Sequence, residues 1–156
     1  KMKELNEYRV LLMNKLVATA REFQAVCLAV KDPYAPLNEG GWNLHQVAAH
    51  TRDVDKLVYG MRAQRTAVED NPEFENFDGD QYTRDHYSAE ESLQTMMAGF
   101  VENVEALANT LRVLPIEAWS RVSRHAKLGN GFTLQTWVER DLAHIEEHLE
   151  TVKKAK

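Results

Sequence analysis

The four prolines of this 156-residue chain, Pro33, Pro36, Pro72 and Pro115, all lie between stretches in which apolar residues recur every three or four positions. Proline breaks a helix interior, so its confinement to the gaps leaves four uninterrupted helical segments. The first covers about residues 3–31, with Leu5, Tyr8, Leu12, Leu16, Thr19, Phe23, Val26 and Val30 on one stripe. The second opens at Asn43, an N-cap with Gln46 in the capping-box position, and fades near Glu69. Val47, Val54, Leu57, Val58 and Met61 mark its core face. The third opens at Ser88, with Glu91 as the matching box residue, and carries Leu93, Met96, Phe100, Val104, Leu107 and Leu111. The fourth is capped by Thr133 after an Asn130-Gly131 turn, and its ridge is Leu134, Val138, Leu142, Ile145, Leu149 and Val152.

The connections are unequal. Residues 32–42 form a short link, whereas 70–87 and 113–132 are longer than ordinary helix–helix loops. The latter holds Leu114 to Trp119, which has the makings of a short helical turn. Apolar residues make up 44% of the chain, enough for one core, so residues 1–156 are expected to form a single domain. A net charge of -5 argues against nucleic acid or anionic membrane as a partner. No apolar run approaches the ~20 residues that span a bilayer. No signal-peptide pattern is visible, and the one cysteine, Cys27, cannot form an internal disulfide, so a cytoplasmic location is expected.

Three of the six histidines stand out. His50 falls inside the apolar stripe of the second helix, while His45 lies on the opposite side. An imidazole on an apolar face needs a partner for its ring nitrogens. His144 and His148 are one turn apart on one face of the fourth helix, about 5–6 Å between Cβ atoms, a spacing that lets two imidazoles share an ion. Asp141, a turn earlier, is placed to orient a ligand histidine. His86 and His125 lie in connections and are expected to be solvated. Depth decides whether the three can meet. His50 lies about 10 Å into its helix, and His148 and His144 about 9 and 15 Å before the end of theirs. They reach one layer only if the second and fourth helices run antiparallel. That requires an up-down-down-up four-helix bundle, with the long crossover between helices 2 and 3. The 70–87 segment can reach about 60 Å, more than the ~40 Å of helix 2.

With these features in place, the chain resembles the DinB/YfiT-like family of metalloenzymes over nearly its whole length. The resemblance rests on Trp42 eight residues before His50, on the run His144-Ile145-Glu146-Glu147-His148-Leu149, and on Leu114-Pro115 followed by Trp119. It implies the same up-down-down-up bundle, a homodimer, and His50, His144 and His148 as ligands of one divalent ion. Some members of the family are S-transferases that use bacillithiol, mycothiol or glutathione-like thiols. The family often places a histidine or polar group just before the last ligand, where this chain has Glu147.

Three neutral histidines leave coordination positions open to water or substrate, as catalytic sites do. Zn²⁺ and Ni²⁺ both suit imidazole, and affinity should fall as pH drops through about 6.5, where free histidine protonates. The site supports S-transfer to a small-molecule substrate, the reading the resemblance favours. It also supports hydrolysis, or metal binding without turnover in a stress-linked protein. The His-x-x-Glu-His reading of residues 144–148 as a peptidase motif lacks a later carboxylate ligand. Cys27, on the core stripe of the first helix, is not the nucleophile. The loop aromatics Phe74, Phe77, Tyr82, Tyr87 and Trp119 are expected to cover the core. Arg84, Arg121 and Arg124 are the loop cations available to a substrate anion.

Overall fold

The computed structural model describes residues 1–37 and 41–155. Helix α1 (Met2–Ala29) comes first. The second helix has three parts: α2 (Leu44–Val54), a π-helical turn (Asp55–Gly60) and α3 (Met61–Val68). The crossover that follows carries strand β1 (Glu73–Phe74) and helix α4 (Gly79–His86). Helix α5 (Leu93–Arg112) is the third long helix. A 3₁₀ turn (Ile116–Ser120) and strands β2 (Val122–His125) and β3 (Gly129–Thr133) lead to α6 (Leu134–Val152).

Side-chain partners fix the helix directions. Along α1 and α6 they run Tyr8–Glu139, Lys15–Glu146, Glu22–Lys153, so these helices are parallel. Along α1 and α5 they run Asn14–Arg112, Arg21–Glu105, Phe23–Phe100, so these are antiparallel. Along the second helix and α6 they run His50–His148, Tyr59–His144, Arg62–Trp137, again antiparallel. The bundle is therefore up-down-down-up, as the histidine depths required. Its core is closed by Leu16, Phe23, Met96, Met97, Phe100 and Trp137, all shielded from solvent. Asn43 and Gln46 make both halves of the capping box, and Thr133 caps α6 by accepting from the Thr136 N–H.

Four expectations are corrected. The third helix is capped by Ser92, which accepts from the Thr95 N–H, not by Ser88. The Glu91 carboxylate that would have closed the earlier box pairs instead with Arg52. The connections are not merely loops: β1, β2 and β3 form a small sheet, β1 parallel and β3 antiparallel to β2. The second helix does not bury Leu57 and Met61 as its stripe foretold. Val58 is buried as expected, but the π turn inserts extra winding, so Asp55, Arg62 and Thr66 face inward in place of Leu57 and Met61. Gly60 ends that turn where a Cβ would sit 3.0 Å from the Asp55 carbonyl oxygen. Finally, His125 is buried rather than solvated. Its Nδ1 accepts from the Lys127 and Leu128 N–H groups and so closes the β2–β3 hairpin.

His45 also proves structural. It is fully buried, with one ring nitrogen 2.7 Å from the Tyr87 hydroxyl and the other 2.7 Å from the Glu91 carbonyl. Stacking on Tyr34 completes its environment and ties the first connection to the end of the crossover. Replacing His45 with Ala removes two hydrogen bonds and opens a cavity, an expected loss of about 2–4 kcal/mol. Urea unfolding of His45→Ala measures it, and a change below about 0.5 kcal/mol would show that this clasp does not stabilise the fold.

Candidate metal centre

Antiparallel packing brings His50, His144 and His148 into one cluster. One nitrogen from each lies within 4.8 Å of the other two, close enough to share an ion. Ring centroids are 4.6 Å apart for His144–His148, 5.0 Å for His50–His148 and 6.2 Å for His50–His144. Neither nitrogen of His144 has a hydrogen-bond partner, although the residue is buried. Two orphaned nitrogens in a dry interior are costly unless something else binds them.

The crossover orients His50. Thr83 donates its single hydroxyl proton to the Gly79 carbonyl at 3.1 Å. Its oxygen therefore accepts from His50 Nδ1–H at 2.9 Å. That assigns the ring proton to Nδ1 and leaves the Nε2 lone pair free for the cluster. Gly79 permits this approach, since a Cβ there would lie 2.8 Å from Val54 Cγ2 and 3.1 Å from His50 Cε1. On the other side, Trp42 packs its ring 5.1 Å from that of His50.

Electrostatics hold the trio neutral. Burial, then the neighbouring His148 and His50, push the His144 pKa far below the ordinary histidine value. Burial and His50 push His148 down to about 4. Burial lowers His50 too, opposed by carboxylates, Asp80 foremost. Asp80 lies 3.9 Å from His50 Nε2. Burial therefore shifts proton competition for all three ligands below the ordinary histidine range.

Beside the histidines the structure holds a feature that sequence reading missed. Asp141 is fully buried, and among the described residues no histidine hydrogen-bonds to it, so it does not orient one as expected; its carboxyl faces that of Asp55, with which it can share a proton. Its neighbour is Asp55, carried inward by the π turn. Burial pushes the Asp55 carboxyl up to about 6 and Asp141 well above the usual range, with the Asp55 charge adding to the latter. A paired carboxylate signal was present in neither helix alone.

The loop residues sort themselves. Phe74 and Trp119 are core, and Tyr87 serves His45. Arg121 donates to the Thr66 and Glu69 carbonyls, and Arg124 to that of Asn71, so both fasten the sheet to the end of the second helix. Arg84 remains at a groove of about 500 Å³ beside the histidines, lined also by Trp42, Asp80, Glu147, His148 and Thr151. Cys27 is buried, which pushes its thiol up to about 12 and keeps it protonated.

These features define a helical bundle with a three-histidine cluster at its core and a groove beside it. The chain belongs to the DinB superfamily, whose model matches residues 15–152. It is similar in structure to YfiT from Bacillus subtilis, described as a probable metal-dependent hydrolase with an unusual four-helix bundle topology. The TM-score is 0.82 at 19% identity, over 94% of this chain and 84% of that one, a likeness of fold. No curated protein matches the chain at a significant level. Among the described residues, no helix is long and apolar enough to cross a membrane.

The carboxyl pair yields a signed prediction. Both groups have folded-state pKa values above their unfolded ones, so the folded state binds more protons. Their contribution to stability is complete below about pH 4 and is lost as pH rises through the folded values. Asp141→Asn, neutral at every pH, should therefore gain stability relative to the parent between pH 4 and 8. Melting temperatures of chelator-treated proteins test this, and a difference that stays constant across that range would contradict the assignment.

Proposed function

We propose that this protein is a divalent-metal-dependent enzyme in which His50, His144 and His148 hold the ion and the groove receives the substrates. The observation that carries the reading is the convergence of three imidazoles, one buried with both nitrogens unpartnered, in a layer that borders a groove. Three histidine nitrogens suit Zn²⁺ or Ni²⁺ and leave coordination positions for a reactant. Such an ion, when bound, lowers the pKa of a water or thiol that joins it.

The protein's own groups prepare that chemistry. Thr83 holds Nδ1 of His50 protonated, so Nε2 faces the cluster. Burial keeps His144 and His148 unprotonated, so a proton does not occupy the ligand positions. The His148 edge is half-buried and borders the groove, the natural entry for a reactant.

Of the reactions open to such a site, we favour S-transfer from a low-molecular-weight thiol to an electrophile. Cys27 is sealed and protonated, so a thiol must come from outside. A groove of about 500 Å³ edged by Arg84, Asp80 and Glu147 offers both signs of charge to a thiol bearing a carboxylate and an ammonium group. Hydrolysis is the second reading, supported by the description of the structural relative YfiT.

Purified protein should bind about one Zn²⁺ or Ni²⁺ per chain, by elemental analysis and competition titration. His50→Ala, His144→Ala and His148→Ala should each weaken it by orders of magnitude, Thr83→Val by about 10–100-fold, and His45→Ala not at all. Binding should persist to lower pH than a trio of exposed histidines would allow, since burial lowers the pKa of all three ligands. Equal affinity in all five variants would remove the site.

For the reaction, Co²⁺-loaded protein should gain a sulfur-to-metal charge-transfer band on adding glutathione or cysteine. Turnover of an ester or amide with no such band would instead favour hydrolysis.

A further inference from the structure

One helical turn below His144 the bundle gathers positive charge that it does not neutralise. Arg62 is 6% exposed, yet among the described residues no carboxylate lies within ion-pair distance of it or of Arg140. Burial lowers the Arg62 pKa, and the like charge of Arg140 adds to it in the same direction. Both lie on the same indole, with Cζ 4.9 Å (Arg62) and 5.9 Å (Arg140) from the Trp137 ring centroid. Arg140 also lies 5.1 Å from the Phe132 ring. The buried carboxyls Asp55 and Asp141 answer to burial and to each other, not to either arginine.

Stacking does not account for the arrangement. It engages the face of a guanidinium, while its N–H donors lie at the edge. Nη2 of Arg62 donates to the Glu75 carbonyl at 3.0 Å, but among the described residues its buried Nε has no acceptor and its Nη1 makes no hydrogen bond. His125 contributes a further donor. Because its Nδ1 accepts two backbone N–H groups, its proton sits on Nε2, and it lies within the field of both arginines. Tyr59 joins this corner to the histidines, its ring 5.1 Å from that of His144 and its hydroxyl in the field of both arginines. A buried, unpaired guanidinium in a chain of net charge -5 is a standing cost unless an anion completes it.

We propose that Arg62, Arg140 and His125 form an anion subsite that binds a carboxylate or phosphate group. Arg140 lies one helical turn before His144 on α6, with its guanidinium over Phe132 and Trp137, so the subsite adjoins the histidine layer from below. As a substrate subsite the corner rests on the metal-enzyme reading. As an anion site it does not.

The test uses inorganic phosphate and succinate as probes, titrated by calorimetry into chelator-treated and Zn²⁺-loaded protein. Chelated parent protein should bind at least one of them, more weakly as salt rises, and which one it binds tells phosphate from carboxylate. Arg140 is exposed, so Arg140→Gln should fold, checked by circular dichroism, and should weaken binding about tenfold or more. Arg140→Lys should restore part of the loss. No anion binding by the chelated parent, or binding unchanged in Arg140→Gln, overturns the subsite. Binding that needs the ion and ignores Arg140 also overturns it, while leaving the metal centre standing. Binding by the corner in a protein that takes up no ion would support the subsite and sink the metal reading.

Discussion

The antiparallel contact between the second helix and α6 is the constraint on which the rest of the molecule depends. It places His50 beside His148, Tyr59 beside His144 and Arg62 beside Trp137, a ladder that joins a metal-binding chemistry at one level to a basic corner at the next. A bundle with short loops throughout would make these helices parallel and separate the histidines by about 6–12 Å. The 70–87 crossover removes that conflict and then takes part in the site. Its helix α4 supplies the hydroxyl that fixes the His50 tautomer, the glycine that admits the ring, and a carboxylate 3.9 Å from Nε2. The connection that makes the topology possible is also the element that finishes the histidine cluster.

Much of this was legible in the sequence because it depends on local periodicity. Helix ends followed from caps, as at Asn43 and Thr133, and the three histidines followed from wheel position and depth. What was not legible depends on tertiary neighbours. The Ser88 box failed because Glu91 is claimed by Arg52, a residue on another helix. His125 sits in a connection, yet two backbone N–H groups of its own hairpin bury it. The largest miss was the π turn. A wheel at constant pitch puts Leu57 and Met61 in the core, and a change of pitch turns Asp55 and Arg62 in their place. Thr83 and Gly79 carry no signal of their own, since their importance is a distance to His50.

The same π turn explains why the interior is so polar on one side. Four long helices usually bury one apolar stripe each. Here the second helix turns a carboxyl and a guanidinium inward within two turns, and α6 adds Asp141, His144 and, at its edge, His148. Such groups oppose folding unless paired, protonated or bound. Asp55 and Asp141 meet the problem by holding a proton between them, and the histidines by losing theirs. The opposing bundle face, built from α1 and α5 around Phe23 and Phe100, supplies the apolar burial that offsets this cost.

That division of labour bears on why the histidines are buried at all. An exposed trio would titrate near 6.5 and trade its ion for protons under mild acid. Desolvation and mutual repulsion disfavour the proton at His144 and His148, and both act on a charge the protein must accept alone. A divalent cation would engage all three lone pairs at once, whereas each proton is held by one imidazole alone. The geometry thus discriminates between the two cations that compete for imidazole. It does so without a nearby buried anion, because the closest buried carboxyls are held by burial towards their neutral form. The carboxylate beside the cluster, that of Asp80 at 3.9 Å from His50 Nε2, is exposed, so water screens what it could offset. A cation held by the three imidazoles would keep charge open to an entering nucleophile, the property that separates a reactive centre from a structural one.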